Sequence, residues 1–365
     1  MSPAFSSPKS AAGFALLLLL LLLAPALAGR ALLPPRDQIY SSAPERWGPY
    51  AYFHRQIFEE TNEADIVFMG SSHIGCGIDT PRVQRELSRK LGRDATVFSL
   101  GWPYAGFDGL YFIARDLLQH RRVKMLVIQD EFAGTPIPHF AASRLFRFAD
   151  DAEVLRGLPL NVQAGFYAEA IRGMPRNLLG LVRPNLPVDA SPGRTNAWEG
   201  FYHAPGIESR LGTLTARIGF DYDPEFADFT PATPALPAEV RVYSAETKSD
   251  FEFSGPPTPP AQLHFARQLA ELAKAHGTKL VFIHLPEFTE MRAENIHERE
   301  IWPEALGADA AMLGVPPAKL FRGISDDEVR KLYYDPGHLN QNGQAWFTQF
   351  ITPALLDIYE SKANF

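Results

Sequence analysis

Asp335-Pro336-Gly337-His338, close to the C-terminus, sets a carboxylate and an imidazole at the two ends of one turn. Proline then glycine at the central positions predicts a type II turn, which holds the outer Cα atoms within about 7 Å. At that range Asp335 can accept one ring N–H of His338, fix its tautomer and leave the other nitrogen as a general base. A base needs a group to activate. Gly70-Ser71-Ser72-His73 comes directly after a short apolar run, Asp65-Ile66-Val67-Phe68-Met69. A serine in a tight turn between strand and helix presents its hydroxyl beside backbone N–H groups that no helical bond uses. Those are the needs of a nucleophile whose tetrahedral oxyanion must meet preorganised donors. Gly101, in Ser99-Leu100-Gly101-Trp102, lets the backbone approach a ligand closely and can lend a second N–H. Taken singly, Gly-Ser-Ser also fits a plain serine turn, and Asp-Pro-Gly-His an ordinary surface turn. Their joint occurrence favours nucleophilic catalysis.

The elements that must position these residues form a regular alternation. The run 65–69, stopped by Gly70, reads as a buried parallel strand. Thr80 as N-cap and Pro81 at the first helical position then open a helix with Val83, Leu87 and Leu91 on one face, closed by Gly92. A strand over 95–100, a helix over 107–119 and a strand over 123–129 come next. A helix over 262–276, ended by Gly277, precedes a strand over 279–285. Asn340 is placed to cap a closing helix whose apolar stripe runs over 344–359, with a kink expected at Pro353. This order predicts an α/β fold, a three-layer doubly wound parallel sheet with helices on both faces. Ligands of such sheets bind beyond the carboxyl ends of the strands, where Ser72, Gly101, Gln129 and His284 fall.

Between 140 and 260 the regularity lapses into proline-rich sequence, ending in Pro256-Pro257-Thr258-Pro259-Pro260. Apolar stretches such as 164–171 and 177–182 are candidate helices within it. A structureless loop of that length is foreign to a compact domain, so 140–260 reads as an inserted cap or subdomain. The α/β domain then comprises 65–139 and 261–365, after a lead-in over 29–64 with a short helix near 52–59.

Composition narrows the function classes. The chain is 46% hydrophobic and 21% charged, enough apolar residue to bury a core. With 35 basic against 42 acidic side chains, a net charge of −7, it lacks the basic surface that nucleic-acid binding needs. A single cysteine, Cys76, excludes an internal disulfide and a multi-cysteine zinc site. The glycines from Gly70 to Gly77 lack the lysine and the spacing of a phosphate-binding loop. At the N-terminus, Lys9, the leucine-rich run Phe14–Leu23 and Ala26-Leu27-Ala28 before Gly29 have the order of a signal peptide covering 1–28. Its apolar stretch would span about 22 Å as a helix, short of the roughly 30 Å of hydrocarbon core. A cleaved leader is expected over a permanent anchor, which places the remainder beyond the cytoplasmic membrane, in a periplasm or outside the cell.

Together these motifs resemble the SGNH/GDSL hydrolase superfamily. Its first block, Gly-Asp-Ser after the first strand, is matched by Gly70-Ser71-Ser72; its second-block glycine by Gly101; its terminal Asp-x-x-His by Asp335 and His338, with Leu339-Asn340 and Gly343 after them. The resemblance covers roughly 65–135 and 260–360. It implies a flavodoxin-like fold with Ser72 as nucleophile, His338 as base, Asp335 as its orienting partner, and the N–H groups of Ser72 and Gly101 as the oxyanion hole. It implies neither a metal nor an organic cofactor. The family's third block, Gly-x-Asn-Asp, is replaced here by Val127-Ile128-Gln129-Asp130-Glu131-Phe132, which makes the Gln129 amide the candidate third donor. Loss of such a donor costs about 3 kcal/mol of transition-state stabilisation.

With an export signal and a large insertion, the likeness extends to envelope-associated proteins that move acyl groups onto polysaccharides beside a membrane-bound acyltransferase. The expected substrate is thus an acyl ester, acetyl above all, of an envelope carbohydrate. The alternative is a non-catalytic scaffold or glycan-binding partner of a membrane acyltransferase. His73, Trp102, Asp130, Glu131 and His284 are expected to line the pocket, with Glu287 nearby. Cys76 is expected to be a buried structural thiol, and Trp198, Phe201 and Tyr202 are candidate sugar-stacking residues, or the insertion's own small core.

Overall fold

Seven consecutive buried residues, Ala64–Gly70, form the strand (β1) that carries the serine turn. A strand buried on both faces has no polar side to display, which is why its sequence does not alternate. The computed structural model describes residues 7–27, 33–41, 50–102, 104–130, 137–182, 240–244, 246–252, 259–297 and 310–361. Glu131, Trp198, Phe201 and Tyr202 lie outside the described residues. The chain divides into two units, Pro44–His139 with Asp189–Phe365, and Met1–Ala43 with Phe140–Val188.

The first of these units is α/β. After β1 come the short helix α1 (Ser72–Gly77), α2 (Thr80–Leu91), β2 (Val97–Gly101), α3 (Phe107–His120) and β3 (Val123–Gln129). The two-residue β4 (Arg241–Val242), α4 (Pro260–Ala275), β5 (Lys279–Ile283) and β6 (Ala310–Gly314) come after it. The hairpin strands β7 (Tyr333–Asp335) and β8 (His338–Leu339) lead into the closing helix α5 (Gln341–Glu360). The central sheet has six strands in the order β2-β1-β3-β5-β6-β4, parallel throughout except for the antiparallel edge pair β6–β4.

Alternation along the strands feeds two cores. Ile66 and Phe68 of β1 join Val83 and Leu87 of α2 and Phe347, Ile351 and Leu355 of α5. On the other face, Phe282 of β5 meets Phe107 of α3, their ring centres 6.1 Å apart, and α3 packs on α4 through Tyr111 and Phe265. Registers Gly70–Gly101, Met69–Ile128, Gln129–Ile283 and Ile283–Leu313 level the carboxyl ends of the five parallel strands. The residues just beyond those ends therefore gather along one edge of the sheet.

Several boundaries differ from the sequence expectation. The N-cap of α2 is Asp79, not Thr80: its Oδ1 accepts the Arg82 N–H at 2.9 Å, a geometry open to carboxylate as to hydroxyl. The segment near 52–59 is helical from Tyr50 to His54 and continues as a π-turn over Arg55–Glu59. Strands β6 and β4 are additions, since alanine-rich Ala310-Ala311-Met312-Leu313-Gly314 has little intrinsic strand preference and is extended because burial beside β5 makes it so.

The second unit is helical. It contains the helices Pro8–Leu27, Arg36–Ser41 and Ala142–Leu145, and one long helix, Leu160–Val182, replaces the two expected at 164–171 and 177–182 despite Pro175 within it. Arg36 ties it together, donating to Leu145 O at 2.9 Å and pairing with Asp151 at 3.2 Å. Phe14 and Leu16 to Leu20 stand about half exposed on the first helix. Among the described residues no helix is long and apolar enough to cross a membrane.

Candidate active site

Gly70 ends β1 where no side chain fits: a Cβ there would lie 2.4 Å from Ile74 Cγ1. The chain then turns through Ser71, extended at φ −80°, ψ −163°, which caps α1 by accepting the His73 N–H at 3.2 Å. Ser72 is thereby the first residue of a helix, where backbone N–H groups lack intrahelical partners. Gly101 pairs in register with Gly70, and the Trp102 N–H donates to Gly70 O at 2.9 Å, so the end of β2 is fixed beside the serine turn.

From 266 residues away in sequence, His338 places Nε2 at 2.7 Å from Ser72 Oγ. Its Nδ1 lies 2.8 and 2.9 Å from the two carboxylate oxygens of Asp335. With the proton on Nδ1 donated to Asp335, Nε2 is an acceptor, and the Ser72 hydroxyl donates to it. Burial works to raise the Asp335 pKa, but the hydrogen bond and charge of His338, with the N–H groups of Gly337 and His338, outweigh it and hold the carboxyl below its ordinary value. An ionised carboxylate is what keeps this tautomer in place.

The Pro336-Gly337 turn is not type II. Gly337 does not adopt positive φ; the turn is closed by Asp335 Oδ1, which accepts the N–H groups of Gly337 and His338, each at 2.9 Å. An aspartate side chain can substitute for backbone closure in this way. Glycine at 337 instead eases a close approach, since a Cβ there would come within 3.1 Å of His73 Nε2.

The long-range closure is set by residues whose importance sequence reasoning missed. Gln344 of α5, 4% exposed, donates from Nε2 to Gly75 O at 3.2 Å and Ile78 O at 3.0 Å. One helical turn on, Thr348 Oγ1 accepts the Asp79 N–H at 2.9 Å. Helix α5, capped by Asn340 through the Gly343 N–H, thus grips the segment that carries Ser72 while its own N-terminus extends the turn that carries His338. The available signal was a pair of polar residues at i, i+4 inside an otherwise apolar stripe.

Gln129 is buried and points under the serine turn. Its Oε1 accepts both the Ser71 N–H, at 3.1 Å, and the Ser71 hydroxyl, at 2.8 Å, while Nε2 lies 3.5 Å from His73 Nδ1. The third-donor role implied by the resemblance therefore falls on an amide whose oxygen already braces Ser71. His73 is half-buried, its ring edge-on to that of His338 with centres 4.6 Å apart. Burial, and after it the neighbouring charge of His338, depresses its pKa to about 3, so it stays neutral in ordinary buffers.

Three expected pocket residues are buried rather than open to a cleft: Trp102 at 0%, Asp130 at 3% and His284 at 1% exposure. Trp102 is enclosed by Tyr50, Phe53 and His139, with ring centres 4.7, 5.3 and 5.8 Å away. Asp130 and His284 satisfy each other at 3.0 Å, which is how polar groups at strand ends come to be accommodated in a core. Cys76 is buried, and burial pushes its thiol pKa far up. Among the described residues, no group of three or more His, Cys, Asp or Glu side chains is arranged to hold a metal ion.

A serine hydroxyl, an imidazole and an ionised carboxylate joined in this order can pass a proton from oxygen to nitrogen as the oxygen attacks an electrophilic carbon. Compared with known proteins, the chain matches no family model and no curated protein.

Proposed function

We propose that this protein is an exported SGNH-like serine esterase or O-acyltransferase, acting on ester-linked acyl groups, acetyl above all, of an envelope carbohydrate. The observation that carries this reading is the Ser72–His338–Asp335 chain, with 2.7 Å between hydroxyl and imidazole and 2.8 Å between imidazole and carboxylate. The parallel sheet and the position of each group after a strand or in the terminal hairpin support an SGNH-type arrangement. The leader-like order of Lys9, Phe14–Leu23 and Ala26-Leu27-Ala28 supports export. A membrane-bound acyltransferase is the partner this reading implies.

In the proposed reaction Ser72 Oγ bonds to the acyl carbon as its proton passes to His338 Nε2. The oxyanion collapses, the ester C–O bond breaks, and the leaving alkoxide takes the proton from the imidazolium. Water or an acceptor hydroxyl then repeats the sequence on the acyl-Ser72, with His338 again as base. The N–H groups of Ser72 and Gly101 are the proposed oxyanion donors.

A fluorophosphonate probe on the full chain tests the reading. Wild type is expected to become labelled, and Ser72→Ala to show no label. A folded wild type that resists the probe would overturn the reading and favour a non-catalytic scaffold.

A further inference from the structure

Beside the triad lies a second histidine held by two carboxylates. His284, at the end of β5, has Nδ1 at 3.0 Å from Asp130 Oδ2 and Nε2 at 3.1 Å from Glu290 Oε2. Ionised carboxylates only accept hydrogen bonds, so both ring nitrogens must donate, which only the imidazolium does. The backbone around it is fixed as well: the Asp130 N–H donates to Ile283 O at 3.1 Å, and the His284 N–H to Leu313 O at 3.0 Å.

The clamp holds the loop that braces the catalytic turn. Glu290 Oε2 also accepts the Glu287 N–H at 2.8 Å, closing the 286–290 segment on itself. From that segment the Phe288 N–H donates to Pro336 O at 2.7 Å, and Pro286 O accepts the Tyr333 hydroxyl at 3.0 Å. Pro336 sits between Asp335 and His338, and Tyr333 starts the strand that ends at Asp335.

We propose that His284 is a positioning residue for the Ser72–His338–Asp335 site: as an imidazolium clamped by Asp130 and Glu290 it holds the 286–290 loop against the catalytic turn, and loss of its proton slackens that hold. The inference rests on the esterase reading and assigns a group that the triad chemistry does not use. The charged groups that act on the ring are Glu290 from the loop and Asp130 from the end of β3, with His73 of α1 within electrostatic reach; Asp335 of β7 acts on His73 and Glu287 of the loop on Tyr333, and β6 contributes the uncharged Gly314 beside the His284 Cβ. Burial disfavours the charge on His284, but Glu290 and Asp130 outweigh it and keep the proton bound well above the ordinary imidazole range. The proton is thus held beyond the pH at which an ordinary imidazole loses it.

The test uses the full chain, with the rate of fluorophosphonate labelling and kcat/KM for p-nitrophenyl acetate measured against pH, alongside the His284 ring resonance tracked by NMR. The resonance is expected to titrate well above the ordinary imidazole range. Glu290→Gln, which removes one clamping charge, should move the alkaline limb of both rates to lower pH by about one unit or more, leaving the acid limb in place. Asp130→Asn should shift it in the same direction, and His284→Gln should lower kcat/KM about tenfold or more and erase the limb. An active wild type whose profile is unchanged in Glu290→Gln and Asp130→Asn, or a His284 resonance that titrates near an ordinary imidazole, would overturn the clamp alone. A wild type with neither labelling nor turnover would remove the esterase reading, and this positioning role with it.

Discussion

Converting His338 to alanine is expected to lower kcat/KM for an activated acetyl ester by roughly four to six orders of magnitude. The size comes from geometry. Nε2 is the hydrogen-bond partner of Ser72 Oγ at 2.7 Å, and no other base among the described residues stands in that place. His73, adjacent in sequence, packs its ring against the ring of His338 and is kept from protonation by burial and by its neighbour's charge. Without His338 the serine keeps its proton, and only the contribution of backbone donors and binding survives. Cys76→Ala is the matched control. The thiol is buried four residues after Ser72, and turnover is expected to stay near wild type. Steady-state hydrolysis, with circular dichroism to verify folding, measures both; a drop of under tenfold in His338→Ala would contradict the assignment.

The second large effect is expected from Asp335→Asn, a loss of about four orders of magnitude in kcat. This substitution separates two duties of one side chain. Oδ1 closes the turn by accepting the Gly337 and His338 N–H groups, which an asparagine oxygen also does. The carboxylate additionally accepts Nδ1–H from the ring at 2.8 and 2.9 Å. An amide NH2 facing Nδ1 favours the opposite tautomer, with the proton on Nε2, and the base is then blocked while the turn survives. Asp335→Ala loses both duties and should also lose stability. Because the folded protein holds Asp335 below its ordinary pKa, its contribution to stability is complete above about pH 4 and fades as pH falls through the lowered value. Asp335→Asn should accordingly flatten the acid side of the stability curve. Equal turnover in Asp335→Asn and wild type would show that tautomer control plays no part.

The sheet is legible where burial writes itself into composition. Strands β1, β2, β3 and β5 are predominantly apolar runs ended by glycine or by polar residues, and the structure places them within two residues of the expected bounds. Gly92 and Gly277 adopt the positive φ expected of helix-terminating glycines, at 65° and 64°. Strand β6 is not legible, because its alanines carry no strand preference of their own and its extension is imposed by β5. At 336–337 the dipeptide alone points to a type II turn, whereas the Asp335 side chain decides the geometry through two hydrogen bonds that a local rule for proline and glycine does not contain.

The candidate site shows the same division. Ser72, His338 and Asp335 are identifiable because each stands in a turn with its own local signature. The means of bringing them together is not, because it lies in Gln344 and Thr348, buried side chains whose partners are backbone groups at Gly75, Ile78 and Asp79. His284 reads as a cleft residue from its position after a strand. Its two carboxylate partners, one 154 residues before it and one 6 after, explain why it is buried instead.

The central claim is that Ser72 carries an acyl group during turnover. Wild type mixed with an activated acetyl ester, quenched in acid within the first turnover and digested for mass spectrometry, is expected to show a single acetyl group on the peptide containing Ser72. Turnover proceeding normally in Ser72→Ala, or an acetyl group that maps elsewhere in wild type, would contradict the account.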